Sequence, residues 1–308
     1  MIDGVLVIDK PAGMTSHDVV ASARRSLRER RIGHTGTLDP MATGVLPLAI
    51  GRATRLVQFL TASDKTYIAR VQLGLSTDTY DVTGRETARV DARVAGEEVE
   101  AALEGFRGTY LQAPPPYSAK KIDNRRAYDL ARAGAAVHPA AVPVSVRSLA
   151  LTRFEDATAT LEVTCSAGFY VRSLAHDLGQ RLGVGGCLAS LRRTRSGEFT
   201  LNGGIGLDLL VGDAVAAAAR VVPLENLLPT IPALTVTSEG EKRVAHGRTV
   251  ENAHVQATAA SADVAGGGDE RRAVSSDWVR LLSPAGTLLA LARPERHSGA
   301  LHPSVVLI

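Results

Sequence analysis

The sequence predicts an α+β fold, in which strands and amphipathic helices mix around one sizeable core. Three observations carry the prediction. Several short segments alternate apolar and polar residues as half-buried strands do; others repeat apolar residues at i, i+3 and i+4 as helices do. The 308 residues, 45% of them hydrophobic, are enough for one large domain and a small one, or two of similar size.

Taken in order, "GVLVIDKPAGMTS" reads as a buried strand at Val5 to Ile8 that runs into a Pro-Gly turn. The following "TSHDVVASARRSLRERR" has Thr15 and Asp18 at capping-box spacing, with Val20, Ala23 and Leu27 on one helical face. Its end is basic, with Arg24, Arg25, Arg28, Arg30 and Arg31 opposed by Glu29 alone. A solvated helix face and a phosphate-contacting edge explain those arginines about equally well. "GVLPLAIGRATRLVQFL" is strongly apolar, and "KTYIARVQLGLSTDTYD" alternates as a strand before an acidic turn. Val99, Ala102, Leu103 and Phe106 have the spacing of an amphipathic helix. Leu161, Val163 and Cys165 alternate up to a break at Gly168, after which Leu174, Leu178 and Leu182 repeat helically. Pro223, Pro229 and Pro232 punctuate a linker, and the rest of the chain reads as a small β-rich domain. Within it "ATAASADVAGGGDERRA" is too polar and glycine-rich to pack, so a mobile insertion is expected there.

Several function classes are disfavoured. No run of about eighteen apolar residues occurs, and the start lacks a basic segment followed by a long apolar one, so no membrane span or secretion signal is expected and the chain should stay in the cytoplasm. Cys165 and Cys187 form no disulfide framework, and no partners stand at finger-like spacing for zinc. The net charge of +3 points only weakly to a polyanionic partner; the clustering of the basic residues says more.

The stretch "RIGHTGTLDP" places Asp39 in a loop rich in glycine and threonine. Its glycines fit neither phosphate-binding pattern, and no lysine follows to reach a phosphate. Asp78 and Asp81 of "STDTYD" lack the ligand spacing of a calcium loop and read as a polar turn. A glycosidase needs two facing carboxylates, and the Asp39 loop supplies one. Tyr170 and Arg172 stand two apart at the end of a strand and share a face if that strand continues so far. An arginine beside Asp39 would orient its carboxylate through a charge-assisted bond. His34 is by default a loop histidine, and Tyr67 a strand residue on the core.

The segments "DKPAGMTS", "RIGHTGTLDPMATGVLPLAIGRATRLVQFL", "KTYIARVQLGLSTDTYD", "PPPYSAKK" and "GFYVRSLAHDLG", in that order, resemble the TruB family of tRNA pseudouridine synthases from Met1 to about Gly197. The resemblance implies a pseudouridine-synthase fold with a mixed, mainly antiparallel sheet and flanking helices over 1–228. A small β-barrel-like PUA domain for RNA binding would follow over 232–308, with the insertion near 257–273. It implies that the T-loop uridine of tRNA, position 55, is isomerised to pseudouridine without metal, nucleotide or redox cofactor. Asp39 would be the nucleophile, paired with Arg172. Tyr67 would stack on the flipped uracil and help remove its C5 proton, although a phenol with a reference pKa of about 10 needs a lowered pKa or a relay to do so. His34 would wedge into the T-loop, Tyr170 and Leu191 would line the nucleotide pocket, and Lys10 would support the active-site loops. The helix arginines, then Lys120, Lys121, Arg125, Arg126 and Arg132, and finally Arg192, Arg193 and Arg195 would grip the T-arm backbone. The chain is expected to work as a monomer on tRNA, with no obligate protein partner and no membrane. The alternative reading is an RNA-binding or tRNA-folding factor using the same surface, alongside or in place of catalysis.

Overall fold

A computed structural model describes residues 2–118, 121–122, 125–126, 139–256, 277–295 and 298–308. The expected insertion near 257–273 lies outside them, as do Lys120 and Arg132 of the second basic cluster. The strands are, in chain order, β1 (Gly4–Lys10), β2 (Ile32–His34), β3 (Thr43–Ile50), β4 (Lys65–Leu73), β5 (Leu75–Thr77), β6 (Glu86–Arg89) and β7 (Gly108–Gln112). Then come β8 (Lys121–Ile122), β9 (Arg125–Arg126), β10 (Val142–Glu155), β11 (Thr158–Cys165), β12 (Gly186–Ser196), β13 (Phe199–Thr200) and β14 (Val222–Pro223). The C-terminal part adds β15 (Ala233–Thr235), β16 (Val279–Leu282), β17 (Leu288–Pro294) and β18 (Leu301–Val306). Helices are α1 (Ser16–Leu27), α2 (Val57–Thr61), α3 (Gly96–Leu103), α4 (Val171–Arg181), α5 (Leu207–Gly212), α6 (Ala214–Ala218) and α7 (Ser238–Ala245). Among the described residues no helix is long and apolar enough to cross a membrane.

The main sheet runs β14-β1-β3-β12-β4-β11-β10-β7, with β2 on β3 and β13 on β12. All its neighbours are antiparallel except β3 and β12, which run parallel where Thr43 and Gly44 meet Arg192 and Arg193. This is the mixed, mainly antiparallel sheet that the sequence implied. Beside it, α1 starts as its sequence requires: the Thr15 side chain accepts from Asp18 N, and the Asp18 carboxylate accepts from Thr15 N. It stops where Arg28 turns left-handed at φ 51°. Its Val19, Val20 and Ala23 pack on Leu6, Ile8, Leu46, Leu48 and Ile50 from one face of β1 and β3.

The opposite face of those two strands is also covered. Val5, Val7, Val45 and Ala49 form a second core with Leu56, Leu224 and Leu227, and with Leu288, Leu291 and Leu307 of the C-terminal sheet. That sheet has the order β15-β16-β17-β18 and does not close into a barrel among the described residues. Arg52 ties it down, pairing with Asp3 at 2.9 Å and donating to Leu307 O at 2.7 Å, and Arg55 donates to Val306 O. Phe59 meets Trp278 edge-to-face at 4.7 Å, and the Arg293 guanidinium lies 4.2 Å from the Trp278 ring centre. The proline-marked connection is itself held, since both oxygens of Glu198 accept from Leu228 N at 3.1 Å and Arg280 Nε donates to Ile231 O at 2.9 Å.

Leu291 is wholly buried between the two sheets, so Leu291→Ala should cost about 2–5 kcal/mol. Urea unfolding would read that loss, and limited proteolysis should cut first in the 229–232 connection. Wild-type stability in the variant would show that the sheets are not cemented there.

Candidate active site

The loop that carries Asp39 is fastened on both sides of it. Upstream, Leu38 N donates to Ser16 Oγ at 2.9 Å, and the Ser16 hydroxyl donates to Leu38 O at 3.2 Å, so the start of α1 holds the loop. Downstream, the Lys10 ammonium donates to Pro11 O at 2.9 Å, Pro40 O at 3.2 Å and Ala42 O at 2.7 Å. Its three donors therefore meet three carbonyls. Lys10 is fully buried, and that burial lowers its pKa, an effect the Asp39 charge opposes. Gly44 then lets β3 leave the loop: its φ is +100°, and a Cβ there would lie 2.1 Å from Arg193 O of the neighbouring strand. Only glycine permits that approach.

Arg172 meets Asp39 side-on. Its Nε lies 2.9 Å from Asp39 Oδ2, and its Nη2 donates to Asp39 Oδ1 at 3.3 Å. The same guanidinium donates to Thr79 O at 3.1 Å and Tyr117 O at 3.0 Å, and lies 3.6 Å from Asp81 Oδ2. Here the structure corrects the sequence reading. β11 ends at Cys165, and Arg172 sits in the first turn of α4 with Tyr170 as its N-cap. Gly168 in the left-handed region at φ +84° breaks the strand before either residue is reached. A cation at a helix N-terminus opposes the helix dipole, and the two aspartates offset that penalty.

The "STDTYD" turn, read as merely polar, supplies the second of them. Asp81 is 4% exposed and accepts from Thr79 Oγ1, Thr83 N and Thr83 Oγ1 at 2.5–3.0 Å. Tyr80 of that turn has a positive φ of 65° and stacks on His176 of α4 at 3.8 Å. An aspartate flanked by threonines that bond it is a signal for a buried, pre-satisfied carboxylate, and the sequence carried it.

Tyr67 lies on β4, buried, directly opposite Val163 of β11 and Arg193 of β12. Burial pushes its phenol above the usual tyrosine range, while the nearby Arg193 charge pulls the other way. Leu191, two residues before Arg193 and 7% exposed, packs in the same core. Tyr170 is positioned through its backbone: Gln112 Oε1 accepts from Tyr170 N at 2.8 Å, and Gln112 Nε2 donates to Tyr170 O at 3.1 Å. Its phenol is raised by burial. His34 ends β2, half-buried, edge-on to His17 at 5.4 Å, and accepts from Gly36 N at 3.4 Å. Burial lowers its pKa, helped by His17 and Arg193.

The third basic cluster needs a second correction. Arg193 is not a surface residue; it is 1% exposed and donates to Val45 O at 2.7 Å and Gly36 O at 3.0 Å. Arg192, on the opposite face, pairs with Asp9 at 2.8 Å. Strand alternation sends neighbours to opposite faces, which a charge count ignores. Arg24 and Arg25 of α1, and Arg28, Arg30 and Arg31 beyond its end, are exposed, with Arg24 donating to Ile32 O at 2.7 Å. The side chains of Lys121, Arg125 and Arg126 lie outside the described residues. Among the described residues no three His, Cys, Asp or Glu side chains converge to hold a metal ion.

Thus Asp39, Arg172, Lys10, Tyr67 and Arg193 are joined through shared contacts and facing strands, where α1, α4 and the strands β3, β4 and β12 meet. Residues 24–171 match the model of the TruB family pseudouridylate synthase N-terminal domain, and residues 172–228 that of the tRNA pseudouridylate synthase B C-terminal domain. A protein named tRNA pseudouridine synthase B from Solibacter usitatus is 48% identical over 252 residues, covering 80% of this chain and 85% of that one. Its namesake from Thermobifida fusca is 41% identical over 317 aligned positions, covering 99% of both. Among solved structures, a chain in the crystal structure of a Cbf5-Nop10-Gar1 complex superposes with a TM-score of 0.72 at 27% identity, covering 99% of this chain and 85% of that chain. One in the structure of an H/ACA RNP bound to a substrate RNA containing 2'-deoxyuridine gives 0.71 at 26%, with the same coverage. With its Asp39 loop, its sheet and both matched models in agreement, this chain belongs to the TruB family of pseudouridylate synthases.

Proposed function

We propose that this chain isomerises the T-loop uridine of tRNA, position 55, to pseudouridine, with Asp39 as the nucleophile. The observation that carries the reading is the side-on pair of Arg172 with Asp39, whose side chain keeps 36% of its surface while the arginine keeps 9%. A buried guanidinium thus fixes both oxygens of a carboxylate that a substrate can still reach. The names of the relatives support tRNA as the substrate. In the reaction Asp39 attacks the target nucleotide, the N-glycosidic bond breaks, the uracil turns, its C5 joins the ribose and loses its proton, and the bond to Asp39 breaks to free the carboxylate. Tyr67 stacks on the flipped base, Tyr170 and Leu191 line its pocket, and Lys10 keeps the Asp39 loop in place. His34 enters the T-loop where the uridine leaves, offsetting part of the few kcal/mol that extrusion costs. The exposed helix arginines contact the T-arm backbone. Residues 1–228 act as the catalytic domain and 232–308 as a PUA-like RNA-binding domain, in a monomer.

Asp39→Asn should abolish pseudouridine formation on an unmodified T-arm transcript while leaving RNA affinity within a few-fold of wild type; mapping pseudouridine by reverse transcription after carbodiimide treatment reads this. A folded wild-type protein that makes none would refute the assignment. Arg172→Lys keeps the charge but loses the fork, so kcat should fall on the order of a hundredfold with KM nearly unchanged. If the arginines bind phosphates, affinity for the transcript should drop by about tenfold or more between 50 and 200 mM salt; a flat dependence measured by filter binding would remove them from the interface.

A further inference from the structure

Arg193 is among the largest fully buried side chains in the molecule, and among the described residues no carboxylate stands within ion-pair distance of it. It donates to two backbone carbonyls, Val45 O and Gly36 O, and it also hydrogen-bonds the Tyr67 side chain. Burying a cation without a counter-ion is costly, and neutral carbonyls offset only part of it. The uncompensated charge is felt around it: it helps to lower the pKa of Lys10, His34 and Lys65, the last falling to about 8 mainly through burial. A site whose floor is kept electropositive against three basic groups is suited to an anion that forms there. The ionisable side chain directly across the strand pair from Arg193 is Tyr67.

We propose that Arg193 is a positioning residue for Tyr67, its unpaired charge stabilising the phenolate that takes the C5 proton. The proposal rests on the pseudouridine reading above. In the step, the phenol proton has left to solvent, the C5–H proton passes to the phenolate oxygen, the C–H electron pair forms the C5=C6 double bond of the uracil, and the C6=N1 π pair moves onto N1, which takes a proton from solvent. Tyr67 ends as the neutral phenol. The groups that bear on Tyr67 are Arg193 on β12, Cys165 on β11 and Asp39 in its loop; Arg193 alone favours the phenolate, while burial, Cys165 and Asp39 disfavour it. Tyr110 makes the instructive contrast, being less buried yet pushed up by burial with Asp177 and without a cation to counter it.

The test follows the phenol itself. With tyrosine labelled at Cζ, the six tyrosines are assigned by single Tyr→Phe replacements, and Tyr67 is titrated by carbon NMR beside a pH profile of the single-turnover rate. Arg193→Gln should raise the Tyr67 titration by at least about one pH unit and slow the neutral-pH rate about tenfold per unit, and Arg193→Lys should restore both. An unmoved phenol in folded Arg193→Gln, or a rate loss that Arg193→Lys rescues without moving the phenol, would overturn the proposal in favour of a purely structural staple. Should Arg193→Gln fail to fold, the wild-type protein decides: Tyr67 should ionise at lower pH than Tyr110, and the reverse order overturns the proposal. The two readings fail separately, because absence of pseudouridine with wild type sinks the function, whereas an unmoved phenol sinks the role of Arg193 whatever the activity.

Discussion

The site depends on one buried cation, Arg172, and on the need to satisfy every part of its guanidinium. Two aspartates and two carbonyls do so, and they come from three separate segments that meet the arginine of α4: the Asp39 loop, the turn at Thr79 and Asp81, and Tyr117. A guanidinium is planar and its donors are fixed in direction, so those segments must arrive together and in register. Leaving one side unpaired in so buried a place would cost several kcal/mol. The Asp39 carboxylate is therefore oriented by the same contacts that close the domain.

The surroundings share that economy. The ammonium of Lys10 stitches the loop from below through two of its carbonyls, Ser16 holds it from the helix, and Gly44 lets it turn back into β3 against the neighbouring backbone. Over the half of the sheet built from β1 and β3, helices cover one face and the C-terminal sheet the other. A loop projecting from strands clamped on both faces has little freedom to drift, which suits the proposed role of Asp39, since a nucleophile must meet its target within a fraction of an ångström.

Local patterns were legible from the sequence wherever the cause was local. Thr15 and Asp18 announced the start of α1, and the alternation of Leu161, Val163 and Cys165 announced β11, because capping and pleat are decided by near neighbours. The break at Gly168 was legible as well, but the sequence left open whether the strand resumed through Tyr170 and Arg172; the left-handed turn at Gly168 ends it, and α4 begins at Val171. Asp81 was passed over because its value comes from Arg172, 91 positions away in sequence. Arg193 was grouped with its neighbours as a surface cluster, though the pleat turns it inward. The glycine at position 44 is needed for the approach of the β12 backbone, a long-range contact that no local pattern announces.

One feature of the sheet order bears on how the chain acquires its activity. Strands β3 and β4 are successive in the first quarter of the chain, yet β12 lies between them, so they are joined into one sheet only once residues 186–196 exist. During synthesis the Asp39 loop and Tyr67 emerge early and stay apart, with the apolar edges of β3 and β4 uncovered, until the late strand inserts and docks both. Non-local pairing of this kind is slow and exposes unpaired edges on the way. An N-terminal fragment ending before β12 thus holds Asp39 without its setting, and the site is assembled only after nearly two thirds of the chain has been made.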